Sequence, residues 1–164
     1  MKRVFVTVGT TSFDELIERI TTPEAVEALK VRGCQHLVLQ VGRGSILPDS
    51  DCCYGLSLSA FRFKDSIAED ITCADLVISH AGAGSCMETL GAGKSLLVVV
   101  NDKLMDNHQL ELANQLYKDS HLLYCTPSNL VETLKVMDFS VLSPFLPGQP
   151  KRFANFLDGA LGVQ

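Results

Sequence analysis

Short apolar runs alternate with amphipathic segments along this chain. The runs are rich in valine, leucine and isoleucine and end at glycine or polar residues, which is typical of buried strands. Most of the intervening segments have apolar residues three and four positions apart, as helices packed on a sheet do. The pattern predicts six strands, at residues 3–8, 36–41, 58–63, 75–79, 96–100 and 121–125.

Helices are predicted between these strands, and the first two have recognisable start signals. Ser12 and Glu15 fit a capping box for a helix through Ile20, and Thr22 precedes a proline that restarts a helix ending near Gly33. Thr126 is predicted to cap a helix that Pro127 opens. The remaining helices are predicted at residues 65–73, 85–92, 106–118, 127–137 and 151–161, and residues 139–149 are predicted to form a loop.

Strands that alternate with helices predict the α/β class, with a Rossmann-like, doubly wound parallel sheet. The length of 164 residues favours one domain, residues 1–164. Ligands of such sheets bind beyond the carboxyl ends of the strands. The loops to inspect are therefore those at residues 9–12, 42–45, 64–65, 80–85 and 101–107.

Composition excludes several classes of function. The net charge is −5, whereas a nucleic-acid-binding domain would carry a basic stripe. The longest apolar run, residues 96–100, is too short to span a bilayer, so no membrane span is expected. Six scattered cysteines fit no metal-binding spacing, and no signal peptide precedes them. We expect reduced thiols, a cytoplasmic location, and neither metal nor cofactor.

Three nucleotide-binding or metal-binding patterns are nearly matched, and each fails. Residues 91–95 end like a P-loop, but Glu88 replaces a required glycine and the order is helix then strand, so Lys94 is predicted to be a turn lysine. The loop after the first strand has only Gly9, which excludes a dinucleotide fingerprint. Asp49-Ser50-Asp51 resembles a metal-binding DxD, but its setting favours a solvated turn.

The sequence His80-Ala81-Gly82-Ala83-Gly84-Ser85 lies where a strand, a glycine loop and a helix are predicted in succession. Small residues let backbone N–H groups approach an anion, and the helix N-terminus attracts negative charge. These features suit a diphosphate held without a metal. Glu88, one turn further on, could accept hydrogen bonds from two ribose hydroxyls. The alternative is a tight strand–helix junction in which Glu88 only favours the helix dipole.

The order of motifs resembles the C-terminal, donor-binding half of a GT-B glycosyltransferase of family 28. Within that family the chain is similar to the catalytic subunits of eukaryotic heterodimeric transferases that make dolichol-linked chitobiose. The resemblance covers nearly the whole chain. It rests on residues 5–11, 40–44, 74–85 and 107–109, of which the His-x-Gly-x-Gly-Ser-x-x-x-Glu and Asn-His-Gln runs are the most specific.

The resemblance implies a UDP-N-acetylglucosamine site. It places the diphosphate at residues 82–85 with Gly9, Thr10 and Thr11 facing it, and the ribose at Glu88. Phe63, with the Lys64 backbone, aligns with the uracil-contacting segment, although Phe63 could equally be a core residue. His80 is expected to shape the loop or contact a phosphate rather than act as a base. The complete predicted set is Gly9, Thr10, Thr11, Phe63, His80, Gly82, Ala83, Gly84, Ser85, Glu88, Asn107, His108 and Gln109. Of these, His108 and Gln109 fall where the family contacts the donor sugar, and the alternative is that they are surface residues of an amphipathic helix.

A GT-B enzyme binds its acceptor in a separate half, which this chain lacks. The resemblance therefore implies a membrane-anchored partner subunit that supplies this half and the general base, a dolichol-linked acceptor, and recruitment to the cytosolic face of the endoplasmic reticulum. A helix at residues 150–162, with an apolar stripe, is expected to contact that partner. The alternatives are a nucleotide-sugar-binding module or an interaction protein, without transfer activity of its own.

Overall fold

A computed structural model describes residues 2–9, 12–48, 55–80, 85, 88–89, 91–100 and 123–136. Six strands form one sheet, and each is paired in parallel with its neighbours in the order β3-β2-β1-β4-β5-β6. The predicted α/β class and all six strands are confirmed, with ends that differ by at most two residues. The strands are β1 Arg3–Thr7, β2 His36–Gln40, β3 Ser57–Phe61, β4 Leu76–His80, β5 Ser95–Val99 and β6 Leu123–Cys125.

Helices cover both faces of the sheet. The defined helices are α1 Asp14–Ile20, α2 Pro23–Val31, α3 Ala68–Cys73 and α4 Leu130–Val136, the last preceded by a 3-10 turn, Pro127–Asn129. Buried side chains of α1, α2 and α4 join one core cluster with Val4, Val6 and Val8 of the first strand and its extension. Phe5 lies outside this cluster, because side chains alternate between the faces of a strand, and its ring stacks on Phe61 with a centroid distance of 6.4 Å.

The sheet order reverses direction between β1 and β4, which are adjacent in space although two strands separate them in sequence. Thr7, at the end of β1, pairs with Ser79 of β4. In doubly wound sheets the connections that follow such a pair of strands run to opposite faces, which opens a crevice beyond their carboxyl ends. In doubly wound sheets this reversal point is where nucleotides bind. Gly9 follows β1 on one side of this crevice, and His80 ends β4 on the other side.

The predicted capping box at the first helix is wrong. Phe13 occupies the N-cap position and no side chain caps the helix, while Ser12 is exposed. The reason is tertiary, because Phe13 is only 8% exposed and packs into the core, so the helix begins at Asp14. The predicted restart at Pro23 is confirmed, and Thr22 is the N-cap residue of that helix: the Ala25 N–H donates to Thr22 Oγ1 at 3.3 Å.

The prediction that Thr126 caps a helix is correct in position but wrong in detail. Thr126 is the N-cap residue of the 3-10 turn, but its hydroxyl lies 3.1 Å from Ser128 Oγ and caps no backbone group. The helix predicted from residue 65 starts at Ala68. The predicted helices at 106–118 and 151–161 and the loop at 139–149 lie outside the described residues. Within the described part of the chain, no helix is long and apolar enough to cross a bilayer.

Candidate functional site

Three of the predicted site residues meet at the crevice between β1 and β4. Gly9 has a φ of +65°, and a Cβ built on it would lie 2.9 Å from Cε1 of His80 and 3.9 Å from Oγ of Ser85. Real side chains do not approach so closely to an imidazole. Glycine is therefore required at position 9 for two reasons, the left-handed backbone and the close approach of His80.

A buried chain of hydrogen bonds holds the Gly9 loop from below. The Gly9 N–H donates to Thr7 Oγ1 at 2.9 Å, and the Thr7 hydroxyl donates to Gln40 Oε1 at 2.6 Å. Thr7 is 0% exposed and Gln40 4%. Neither residue was predicted from the sequence to have a role. A signal was present, since each is a polar residue that follows three apolar ones at the end of a strand.

His80 is set in an environment that favours its neutral form. Burial lowers the pKa of His80, and a hydrogen bond with the backbone of Thr7 opposes that shift. The imidazole is therefore uncharged at neutral pH. In this state His80 can shape the loop or donate one hydrogen bond to an anion, but it contributes no net positive charge.

Residues 81–84 connect the end of β4 to a helical segment. Ser85, Glu88, Thr89 and Gly91 all have helical backbone. Thr89 is fully buried and its hydroxyl donates to the Ser85 carbonyl at 2.8 Å. Glu88 is exposed, so its carboxylate is accessible to a ligand.

The predicted exclusion of a P-loop at residues 91–95 is confirmed by the order of elements. Gly91 is helical, Gly93 has a φ of +73°, and Ser95 begins β5. The Lys94 N–H donates to the Thr89 carbonyl at 3.2 Å, which is the hydrogen bond of a Schellman helix end. Lys94 is thus a turn residue between helix and strand, as predicted.

At the end of β3, the exposure of Phe63 excludes a core role, and its contact with the uracil stays a prediction. The ring is 52% exposed, so Phe63 is not a core residue. The strand ends at Phe61 rather than at Phe63, and the chain then leaves the sheet. Lys64 Nζ lies 3.1 Å from Asp70 Oδ1 and 4.4 Å from the centroid of the Phe61 ring.

The loop after β2 is fixed by side chains from two other elements. Arg62 Nη1 donates to the carbonyls of Gly42 at 3.2 Å and Gly44 at 2.6 Å. Asp14 accepts hydrogen bonds from the Ser45 N–H at 3.1 Å and from the Ser45 hydroxyl at 2.6 Å. A Cβ on Gly44 would collide with the Asp14 carboxylate. These contacts were not predicted from the sequence.

The other predicted site residues lie outside the described part of the chain, and their roles stay predictions. They are Thr10, Thr11, Gly82, Ala83, Gly84, Asn107, His108 and Gln109. The rejected Asp49-Ser50-Asp51 motif also lies outside it. Among the described residues, no group of three or more histidine, cysteine, aspartate or glutamate side chains could hold a metal ion.

The parallel sheet and the reversal of its strand order define a Rossmann-like, doubly wound α/β domain. The family model of the glycosyltransferase family 28 C-terminal domain matches residues 3–152, and the chain belongs to this family. It is 60% identical over 126 residues to the UDP-N-acetylglucosamine transferase subunit ALG13 of Mus musculus, an alignment that covers 77% of this chain. The chain spans only 11% of the length of that relative.

Solved structures agree with the fold. An NMR solution structure of ALG13 has a TM-score of 0.74 and 26% identity, and the match covers 99% of this chain and 96% of that one. A crystal structure of Acinetobacter baumannii MurG has a TM-score of 0.63 and 21% identity, over 96% of this chain and 45% of that one. The chain is thus a Rossmann-like glycosyltransferase domain that matches less than half of MurG.

Proposed function

We propose that this chain is the donor-binding catalytic subunit of a UDP-N-acetylglucosamine transferase that adds the second N-acetylglucosamine to GlcNAc-diphosphodolichol. The observation that carries the proposal is the convergence of Gly9, His80 and Ser85 at the β1–β4 crevice of a family 28 domain. The name of the mouse relative, a UDP-N-acetylglucosamine transferase subunit, supports the same donor.

The donor would lie across the carboxyl edge of the sheet. In this proposal its diphosphate occupies the crevice, against residues 9–11 and 82–85, and Glu88 accepts hydrogen bonds from the ribose. The uracil lies near Phe63, at the end of β3. Because β2 separates β3 from β1, the two ends of the site are about two strand spacings apart, ~10 Å. A nucleoside diphosphate can bridge that span, and its sugar would continue toward residues 107–109.

Catalysis by this subunit would be electrostatic. As the glycosidic bond to UDP breaks, negative charge develops on the departing diphosphate. Backbone N–H groups of the glycine loop and the start of the following helix would stabilise that charge. In this proposal His80 faces the diphosphate, where it shapes the loop or contacts a phosphate, so it is not assigned as the general base. The base that deprotonates the acceptor hydroxyl is assigned to the acceptor-binding subunit.

The proposed transferase needs a second polypeptide. The mouse relative is named as a subunit of a UDP-N-acetylglucosamine transferase, which supports a second polypeptide that binds the lipid-linked acceptor. We assign that role to a membrane-anchored subunit at the cytosolic face of the endoplasmic reticulum, and we assign residues 150–162 as the contact with it. Removal of residues 151–164 should abolish copurification with the partner while UDP binding persists. Copurification of the truncated chain would place the contact elsewhere.

Transfer of labelled N-acetylglucosamine tests this function directly. The full chain, co-expressed with a candidate membrane subunit, should transfer the sugar from UDP-N-acetylglucosamine to a lipid-linked acceptor, and neither protein should do so alone. Added chelator should leave activity intact, since no metal is proposed. UDP binding without transfer in any combination would instead favour a nucleotide-sugar-binding module. Absence of both would favour an interaction protein.

A further inference from the structure

Phe63 is an exposed aromatic residue whose two neighbours are both held in place. Its ring is 52% exposed, so packing does not fix its position. The flanking residues Arg62 and Lys64 nevertheless bond to separate parts of the fold. An exposed loop residue would ordinarily sample many positions, and this arrangement removes that freedom from the backbone at Phe63.

On the first side, Arg62 attaches the segment to the loop after β2. Its guanidinium donates to two carbonyls, those of Gly42 at 3.2 Å and Gly44 at 2.6 Å. That loop is itself immobilised, because Ser45 donates through both its N–H and its hydroxyl to Asp14 on α1. Arg62 therefore ties residues 62–64 to the loop after β2, which Asp14 holds in place.

On the second side, Lys64 attaches the segment to α3. Its Nζ donates to both carboxylate oxygens of Asp70, at 3.1 and 3.2 Å. The Asp70 side chain is only 8% exposed, so this acceptor is held by packing. The same ammonium group lies above the ring of Phe61, at 4.4 Å from its centroid. Asp70 thereby holds Lys64 in place although 45% of the Lys64 side chain is exposed.

We propose that Arg62 and Asp70 are positioning residues that preorganise Phe63 and the Lys64 backbone for contact with the base of the nucleotide. The inference rests on the proposed function, which places the uracil at this segment. Preorganisation raises affinity because the segment is already ordered in the free protein. The entropy cost of ordering it is then not subtracted from the free energy of binding. Neither residue needs to touch the ligand. Loss of either anchor should therefore weaken recognition of the base and spare recognition of the diphosphate.

Calorimetry of UDP and of ADP binding to the full chain separates recognition of the base from recognition of the diphosphate. Arg62→Ala and Asp70→Asn should each lower UDP affinity by about three- to tenfold while ADP affinity changes less, so that the preference for UDP falls. Arg62→Lys should recover part of the UDP preference, because both bonds come from the single nitrogen Nη1 and an ammonium group can also donate to two carbonyls. Circular dichroism and the midpoint of thermal unfolding identify any variant that fails to fold.

Arg32→Ala provides the matched control. Arg32 also donates to two backbone carbonyls, those of Leu134 at 2.6 Å and Lys135 at 3.5 Å, but it follows α2, near the amino end of β2. This variant should lose stability without any change in the UDP-to-ADP preference. An unchanged preference in folded Arg62→Ala and Asp70→Asn, or an equal loss for both nucleotides, would overturn the inference. A wild-type chain without preference for UDP would overturn the proposed function itself.

Discussion

Gly9 and His80 meet so closely across the β1–β4 junction that position 9 has no room for a side chain. A Cβ on Gly9 would lie 2.9 Å from Cε1 and 3.3 Å from Nε2 of the imidazole. The imidazole is in turn connected to the backbone of Thr7, two residues before Gly9. The end of β1 and the end of β4 are therefore built as one unit, and a change at Gly9 acts on both.

Gly9→Ala should displace His80 and impair the site. The left-handed backbone costs about 1–2 kcal/mol for a residue with a Cβ, and the contact with His80 adds to that cost. We expect a loss of about 2–3 kcal/mol in the free energy of unfolding, and weaker UDP binding. Chemical denaturation and calorimetry measure the two effects.

Gly93→Ala is the control for backbone strain alone. Gly93 has a similar φ of +73°, and a Cβ there would meet no atom of the described residues within 4 Å. This variant should be destabilised by about 1–2 kcal/mol and should bind UDP normally. If Gly9→Ala and Gly93→Ala are equally destabilised and both bind UDP normally, His80 and Gly9 do not form part of the nucleotide site.

Glu88→Gln should weaken nucleotide binding through the ribose. The loss of a hydrogen bond to a charged group suggests about 1.5–3 kcal/mol, roughly tenfold or more in affinity. Glu88 is exposed, so the fold should be unaffected. The loss should be smaller for 2′-deoxy-UDP, which offers one hydroxyl fewer. An equal loss for both nucleotides would separate Glu88 from the 2′-hydroxyl.

Glu24→Gln tests the alternative that Glu88 serves only the helix dipole. Glu24 is exposed and lies in the first turn of α2, so its removal changes the same kind of dipole interaction. Both variants should lose a few tenths of a kcal/mol of stability, about 0.3–1 kcal/mol. Only Glu88→Gln should change UDP affinity. If Glu88→Gln bound UDP with unchanged affinity, Glu88 would only stabilise the helix dipole.

The sequence was sufficient to predict the strands and the crevice because both depend on local patterns. A strand that is buried on both faces is a continuous apolar run, which can be recognised in a sequence. In a parallel α/β sheet, ligands bind at the edge formed by the carboxyl ends of the strands. Contacts between distant residues leave no such pattern. Thr7 meets Gln40, and Arg62 meets Gly42, through the sheet pairing and a loop turn, and neither contact follows from residue spacing.

Errors at element ends have the same origin. The alternation of residues 58–63 continues past the true end of β3, because the bonds of Arg62 to the neighbouring loop, rather than propensity, end the strand near Phe61. The first helix begins late because Phe13 is needed in the core. In both cases a tertiary interaction overrides a local signal, and only the structure reveals it.

Asp75→Asn should reduce stability in a pH-dependent way. Hydrogen bonds from the backbone N–H groups of Arg3 and Lys2 lower the pKa of Asp75, and its Oδ2 lies 3.1 and 2.8 Å from those nitrogens. A lowered pKa contributes stability that is present above the unfolded value, about 3.9, and is lost as pH falls through the folded value. Because Asp75 is exposed, we expect at most about 1 kcal/mol at pH 7.

The difference between wild type and Asp75→Asn should therefore shrink below about pH 4, where the carboxylate becomes protonated in the unfolded chain before it does in the folded one. Urea denaturation at pH 7, 5 and 3.5 measures it. The proposed nucleotide site is at the opposite edge of the sheet, so UDP affinity at pH 7 should not change. A stability difference that stays constant across this pH range would show that charge on Asp75 is irrelevant and that only the shape of its side chain matters.

Two buried cysteines should resist alkylation while an exposed one reacts. Burial raises the pKa of Cys34 to about 11 and that of Cys125 to about 12, whereas Cys73 is exposed. At pH 8 the thiolate fraction is then ~10⁻³ for Cys34 and ~10⁻⁴ for Cys125, and only the thiolate reacts. Iodoacetamide labelling, followed by peptide mass mapping, should modify Cys73 first, and in denaturant all three should react at similar rates.

The raised pKa values of Cys34 and Cys125 also predict how the free energy of unfolding changes at alkaline pH. A raised thiol pKa contributes stability that is fully present below the unfolded value, about 8.5, and is lost as pH rises toward the folded values near 11 and 12. Cys125→Ala and Cys34→Ala should each flatten the decline of stability between pH 8.5 and 10, relative to Cys73→Ala. Native-state labelling of Cys125 as fast as Cys73 would mean that β6 opens readily, and the predicted alkaline dependence would then be absent as well.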